Sequence, residues 1–463
     1  MEAAFGVAGI FLSLILLMAL AYRGISVIIL APILSLFAVV VSGAGDQLLA
    51  LYTQVFMYGL LGFVVKYFPV FLLGAMFGRL MDDSGAARRI ALAIFTAMGP
   101  ARVIVSVVVA CGILTYGGVS IFVVVFAVYP IAAAMFRVAN IPKRLIPAAL
   151  GLGGGTLTMT CLPGAMQIQN IIPTSYFGTD IYAAPIYGTV CGVLMWTGGL
   201  LWLKRRQKVL AKEGYGTGHI NEPSQVDAGH TPPLWIALAP IVIVIGVNYL
   251  FSEIMIPSWD TTYLSEPKFG ATSVETLRSL WAIIAAMFIA CLAVIALNWR
   301  RFANLNNSLS CGAMSALLPT FNTGSEVGYG VTIASLAAFA LVKSAIVNLA
   351  PGYPLISASL AVNVLAGITG SASGGMSIAL AALGDTYRQM AIDQGISLEW
   401  MHRVVSMSSG GLDTLPHNGA VITMFIICGL THRQSYADLG MVTLVIPFTT
   451  AISVTVLLSV FGT

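Results

Sequence analysis

The chain has 463 residues, of which 58% are hydrophobic and 9% are charged, and its formal net charge is +4. Soluble globular proteins carry about 25% charged residues, so this composition excludes a water-soluble globular domain. The basic residues cluster at the ends of apolar runs, a pattern that membrane topology explains and that indicates no nucleic-acid partner.

Long apolar runs recur along the whole chain. Residues 5–22 and 281–299 are two examples, and each reaches the roughly 20 residues that a helix needs to cross a bilayer. The first run lacks a basic segment before it and a cleavage site after it, so we expect a retained helix rather than a signal peptide. The pattern predicts an all-α polytopic protein in the lipid bilayer, with about 12–14 membrane segments.

The charges of the connecting segments set the expected topology. Residues 137–144, 204–216 and 298–301 are basic and are expected in the cytoplasm, whereas the acidic segment 252–268 is expected outside. The N-terminus then lies outside if residues 68–95 form a short hairpin that enters and leaves on one side. The alternative for this segment is a cytoplasmic loop between two full spans.

The two halves of the chain resemble each other. Residues 116–126 and 373–383 share a Gly-Gly-x-Ser-Ile core, while 153–164 and 408–419 are both rich in glycine and contain Leu-Pro. We predict a first transmembrane repeat at 1–203, a cytoplasmic linker at 204–232 and a second repeat, inverted relative to the first, at 233–463. Duplicated halves with interrupted helices are typical of secondary transporters, whose sites form where the helices break.

Three polar segments of the second half, 319–330, 367–380 and 408–420, are predicted to interrupt helices because they contain glycine or proline. Backbone groups freed in a membrane must pair with each other or hold a ligand. Tight packing of small residues is the alternative at any single position. The candidates for substrate binding are Asn322, Thr323, Gly324, Ser325, Thr369, Ser371, Ser373, Gly374, Ser409, Thr414, His417 and Asn418.

Four ionisable side chains are candidates for proton or ion coupling: Asp413, His417, Glu326 and Asp83. Ionisable residues inside a membrane are costly and usually functional, and Asp413 and His417 stay close in either a helix or a break. The alternative for Asp413 is a structural role as the cap of the helix that begins after Pro416. Glu326 and Asp83 are expected in hairpin tips, where a water-exposed loop is the alternative.

The residue inventory of the predicted breaks favours a small substrate with one negative charge. The breaks offer hydroxyls, amides and backbone N–H groups but no basic residue, so a hydroxylated monocarboxylate fits better than a multiply charged anion. A sodium–proton exchanger is an alternative ion role for Asp413. An intramembrane protease is the enzyme alternative, but no matching pair of catalytic residues accompanies its motifs, and no metal or cofactor motif is present.

Three stretches resemble the gluconate permease (GntP) family of the ion transporter superfamily: 66–91, 370–380 and 409–422. The Asp-Thr-Leu-Pro-His-Asn-Gly run is most similar to members described as D-3-hydroxybutyrate permeases, and the Asn-Asp-Ser-Gly pattern of gluconate carriers is missing. The resemblance implies cation-coupled uptake of a small hydroxy-monocarboxylate, with protons as the coupling ion and sodium or gluconate as alternatives. It also implies helical hairpins, a homodimer and a bacterial-type inner (plasma) membrane.

Overall fold

The regular secondary structure is helical throughout the part of the chain described by the computed structural model, which covers residues 2–23, 25–216, 231–348, 350, 352–416 and 418–461. No strand occurs in these residues, so the all-α prediction is confirmed. His417 and residues 217–230 of the predicted linker at 204–232 lie outside the described residues. The predicted division into two repeats and their inversion remain predictions.

The first half of the chain begins with long helices and then changes to short ones. Its helices are α1 Glu2–Tyr22, α2 Val27–Val41, α3 Leu48–Ala50, α4 Met57–Asp83, α5 Ala86–Met98, α6 Val103–Tyr116, α7 Ile121–Val138, α8 Ile146–Gly154, α9 Leu157–Thr160, α10 Ile168–Ile171, α11 Thr174–Phe177 and α12 Pro185–Val209. A π-helical turn at 51–56 joins α3 to α4, so that residues 45–83 run as one helix.

The second half also contains long helices, broken helices and a closing long helix. Its helices are α13 Leu234–Tyr249, α14 Val274–Asn298, α15 Leu305–Ser335, α16 Phe339–Val347, α17 Pro354–Thr369, α18 Ala372–Asp393, α19 Leu398–Ser409, α20 Gly419–Cys428, α21 His432–Gly440 and α22 Ile446–Phe461. A π-helical turn at 441–445 makes α21 and α22 continuous.

Full-length membrane spans are fewer than the predicted membrane segments. Among the described residues, six helices are long and apolar enough to cross a membrane, or up to eight if each of two bent pairs counts as one span. Four further apolar helices are shorter, with 10–17 residues. The predicted 12–14 segments are therefore reached only when short and broken helices are counted.

The prediction of a short hairpin at 68–95 is wrong for its first arm. That arm is the end of the 39-residue helix at 45–83, and only the second arm, α5, is short. The chain reverses at Gly85, whose φ of 75° suits glycine, and α5 then meets α6 at 105°. Pro69 lies inside α4 without ending it.

The break expected at 319–330 is also wrong, because these residues form the continuous middle of α15. Their glycines serve close packing instead, which was the alternative. A methyl group at Gly328 would lie 2.7 Å from the carbonyl oxygen of Phe56, and one at Gly324 would lie 3.3 Å from Val64. α15 and the helix at 45–83 pack in antiparallel fashion along most of their length. α15 bends only after this contact, by 99°, into α16.

Candidate functional site

Two of the three predicted second-half breaks are present, and the first is the turn between α17 and α18. Gly370 adopts the left-handed conformation that ends α17, and Ser371 caps α18 by accepting a hydrogen bond of 3.0 Å from the Gly374 N–H. Thr369 donates to the carbonyl of Leu365 at 2.9 Å and to that of Ser371 at 3.2 Å. Ser373 is half-buried beside this turn. The predicted break at 367–380 is therefore narrower, at 370–371.

The second break separates α19 from α20 and contains Asp413. Asn418 caps α20 by accepting from the Val421 N–H at 2.9 Å, and its amide donates to the Asp413 carbonyl at 2.9 Å. The capping role considered for Asp413 therefore belongs to Asn418. The Asp413 side chain is buried, and its Oδ1 has no hydrogen-bond partner among the described protein atoms.

Two hydroxyl candidates near this break are engaged within the protein. Thr414 donates to the carbonyl of Thr443 at 3.1 Å and accepts from the Thr443 hydroxyl at 2.9 Å. Ser409 donates to the carbonyl of Ser406 at 2.7 Å in its own helix. Both side chains are buried, so their hydrogen bonds hold the break in place rather than offer free donors.

The two breaks lie against each other. A methyl group at Gly367, near the end of α17, would lie 3.1 Å from the Cβ of Leu412. A methyl group at Gly411 would overlap the side-chain oxygen of Asn363, which is buried in the middle of α17. The small residues of 367–380 and 408–420 thus allow two irregular backbone segments to meet inside the helical bundle.

Glu326 lies at this junction rather than in an exposed hairpin tip. It sits in the middle of α15 with an exposed fraction of 2%, and its Oε2 has no hydrogen-bond partner in the described part of the chain. A methyl group at Gly374 would overlap its carboxylate. The carboxylate therefore rests on the first turn of α18, directly beside the Ser371 cap.

Four buried polar atoms around the two breaks share the lack of a protein hydrogen-bond partner: Glu326 Oε2, Asn363 Oδ1, Ser377 Oγ and Asp413 Oδ1. Buried polar groups are normally hydrogen-bonded, so such a group of atoms indicates where ions, water or substrate bind. Sequence reasoning missed Asn363 and Ser377 as site residues. The sequence offered one indication for each: Asn363 places an amide inside the apolar run 354–369, and Ser377 places a hydroxyl inside the repeated stretch 373–383.

None of the remaining described candidates contributes a partnerless buried atom, and Asp83 also lies far from the breaks. Asp83 ends α4, where its Oδ2 accepts from Arg79 at 2.8 Å and from Ser308 at 2.6 Å. Ser308 and Glu326 are 18 positions apart on α15, and a helix rises by 1.5 Å per residue, so Asp83 lies about 27 Å from the breaks. Asn322 is half-buried and accepts from Ser26 at 3.4 Å, while Thr323 and Ser325 are buried on α15.

Breaks in the first half adjoin those of the second. Thr115, at the end of α6, shares a hydrogen bond of 2.7 Å with Thr158, and the Tyr116 hydroxyl donates to the Pro163 carbonyl at 2.8 Å. Ser406 of α19 donates to the carbonyl of Thr160 at 2.9 Å. The segments 117–120 and 155–167 therefore contact each other and the second half.

A buried arginine that the sequence analysis did not single out joins the halves. Arg403 is fully buried, and its guanidinium donates to the carbonyl of Ala183 at 2.7 and 3.0 Å, to that of Ile181 at 3.1 Å and to the Asn170 amide oxygen at 2.9 Å. The three predicted breaks contain no lysine or arginine, but a methyl group at Gly188 would touch both the Arg403 side chain and the carbonyl of Cys161, so a buried cation lies beside the 155–167 segment.

A helical membrane protein with paired, touching helix breaks and buried ionisable groups has the architecture of a secondary transporter. Comparison with known proteins agrees with this class. The GntP family permease model matches residues 3–459, and the chain belongs to that family. It is a transporter and not an enzyme, as the sequence analysis expected.

Two individual proteins are similar over nearly their whole length. The "Uncharacterized transporter YxjC" of Bacillus subtilis (strain 168) is 45% identical over 452 residues, covering 94% of this chain and 95% of that protein. The crystal structure of the Alcanivorax borkumensis YdaH transporter, described as having an unusual topology, matches with a TM-score of 0.56 and 17% identity over 90% of this chain and 89% of its own. The second likeness concerns the fold alone.

Proposed function

We propose that this permease takes up a small hydroxy-monocarboxylate together with protons, with 3-hydroxybutyrate as the preferred substrate. The observation that carries the proposal is the group of partnerless polar atoms at the touching breaks, which includes the buried carboxylate of Asp413. Substrate donors and acceptors would satisfy these atoms, and Asp413 would carry the proton. His417, Ser371, Ser373 and Asn418 complete the proposed site.

Protonation of Asp413 gives a physical basis for coupling. An unpaired carboxylate is expensive to bury, and a proton removes that cost. A proton that binds Asp413 from the outer side would therefore let the loaded site change its access from outside to inside. Release of the proton inside would return the empty site to its outward-facing state. The direction of transport, the bacterial inner membrane and a homodimer complete this proposal.

Sodium coupling is the second candidate, and one observation favours it. Three of the partnerless atoms, on Glu326, Asn363 and Asp413, are oxygens that accept hydrogen bonds. Carboxylate and amide oxygens are ligands of hard cations, so a sodium ion would satisfy them as well as protons would.

The test is uptake of labelled D-3-hydroxybutyrate into proteoliposomes that contain the purified full chain. An inward proton gradient is applied with and without sodium, and unlabelled gluconate is added as a competitor. The proposal expects uptake driven by protons alone that Asp413→Asn abolishes and gluconate does not block. Asp83→Asn is the matched control, since it removes a distant carboxylate.

Other outcomes separate the alternatives. Uptake that requires sodium would replace the proton with a cation bound at the same oxygens. Uptake of gluconate instead of hydroxybutyrate would move the substrate assignment to the sugar acids. Unchanged uptake by Asp413→Asn would remove this carboxylate from the coupling mechanism.

A further inference from the structure

The first turn of α18 favours an anion. The N–H groups at the start of a helix have no partner within it, and the helix dipole favours negative charge there. Ser371 satisfies only the N–H of Gly374, and the N–H of Gly375 bonds to the Ser371 carbonyl. This turn belongs to the substrate site proposed above.

The protein itself already places a carboxylate at that turn. Glu326 reaches it from α15, its side chain is buried, and its Oε2 has no hydrogen-bond partner in the described structure. The absence of a side chain at Gly374 is what makes room, since a methyl group there would overlap the carboxylate. Glu326 and a substrate carboxylate would therefore compete for one small region.

No other described charge compensates Glu326. Titratable groups on the elements packed against α15 are Asp46, Tyr52, Tyr58, Lys66, Tyr67, Arg79, Asp82 and Asp83 on the helix 45–83, Lys343 on α16, and Asp385, Tyr387, Arg388 and Asp393 on α18. Tyr329, one turn along α15 from Glu326, bonds to Ser13 at 2.6 Å. None of these described groups forms a hydrogen bond or an ion pair with Glu326.

We propose that Glu326 is a built-in competitor that must be protonated before a substrate carboxylate can bind at the start of α18. In the empty protein the ionised Glu326 occupies the anion-favouring turn. A proton neutralises Glu326, and the substrate carboxylate then binds to the N–H groups at the start of α18. Binding of the anion and binding of the proton thus become obligatory partners, independently of the proton on Asp413.

The size of the effect follows from Coulomb's law. Two unit charges about 4 Å apart at an effective dielectric of about 20 repel enough to weaken binding roughly a thousandfold. Anion affinity should therefore fall about tenfold per pH unit once Glu326 is ionised, over up to three units. The inference rests on the proposed function only for the identity of the anion.

The test measures binding of 3-hydroxybutyrate, gluconate and acetate to the detergent-purified full chain by calorimetry across pH 5–9. Proton uptake on binding is followed in weakly buffered solution. Wild type and Asp413→Asn are expected to show the fall in affinity and to take up about one proton at Glu326 per anion. Glu326→Gln, which keeps the shape without the charge, should lose that proton and its share of the pH dependence, and the double variant Asp413→Asn/Glu326→Gln should bind with flat affinity. If Glu326→Gln fails to fold, Glu326→Asp is measured in its place. This variant keeps a carboxylate and should retain the pH dependence of the anion affinity.

Each outcome is decisive. The proposal is overturned if the anion affinity of Glu326→Gln falls with pH as it does in the wild type, whichever carboxylate binds. A flat wild-type profile does the same. Binding of gluconate or acetate alone, with the pH dependence lost in Glu326→Gln, supports the competitor role and refutes the hydroxybutyrate assignment. If no carboxylate binds at any pH, both proposals fail.

Discussion

Replacement of Arg403 by methionine separates a structural role of this buried cation from a role in substrate binding. Methionine fills much of the same volume, so few contacts are lost. The Ile181 carbonyl keeps two other donors, Gly164 N–H and the Asn170 amide, each at 2.9 Å. The Asn170 oxygen keeps His402 at 3.2 Å. Only the carbonyl of Ala183 loses both of its donors.

One orphaned buried carbonyl costs about 1–3 kcal/mol. Removal of a buried charge returns part of that amount, because the arginine has no carboxylate partner and its desolvation cost disappears with it. We therefore expect Arg403→Met to lower the free energy of unfolding by about 1–2 kcal/mol. In a chain of this size that corresponds to a fall in the midpoint of thermal unfolding of a few degrees.

The assay is thermal unfolding in detergent, followed by intrinsic tryptophan fluorescence, together with substrate binding by the folded variant. A small fall in the unfolding midpoint with binding retained fits an arginine that fixes the 170–184 segment to α19. Unchanged stability with complete loss of binding would refute the reasoning, because it would show that the guanidinium acts on the substrate. Failure to fold would show that the charge itself is indispensable.

Further outcomes follow from individual contacts. Gly374→Ala should displace Glu326 and lower stability by about 1–3 kcal/mol, whereas Gly62→Ala on α4, with no atom within 4 Å of the added methyl group, should leave the thermal midpoint within about a degree. Asn363→Leu should abolish uptake in proteoliposomes while leaving the thermal midpoint close to that of the wild type, because the partnerless amide oxygen it removes is costly to bury. Asp83→Asn should leave the rate of proton-driven uptake unchanged, and a loss above tenfold would contradict its placement at the end of α4.

The sequence predicts the all-α architecture and two of the three second-half breaks, because composition and the glycine and proline content act locally. The third prediction failed for a physical reason. A glycine that interrupts a helix and a glycine that lets two helices touch look the same in one sequence, and the contact between α15 and α4 decides between them. Gly324 and Gly328 face the backbone or side chains of residues 56–64, so that stretch stays helical. Glu326 was consequently expected in a hairpin tip and instead lies buried in the middle of α15.

Arg403 was missed for a different reason. Its partners are carbonyl groups and an amide more than 200 positions earlier in the chain, and backbone carbonyls leave no trace in the sequence. A basic residue five positions before a predicted break reads as the polar end of a loop. Only the fold shows that it is buried, and only its hydrogen bonds show that no carboxylate accompanies it.

The buried arginine also bears on how much charge the substrate can carry. Each of its three guanidinium nitrogens already donates to a protein oxygen, at 2.7–3.1 Å. It is therefore not free to pair with a second substrate carboxylate without breaking the contacts that join the halves. At the second-half breaks the described carboxylates are Glu326 and Asp413, and both would repel a second negative charge when ionised. A substrate with one carboxylate meets a single anion-favouring turn on α18 and hydroxyl-rich surroundings, and this arrangement supports the monocarboxylate in spite of Arg403.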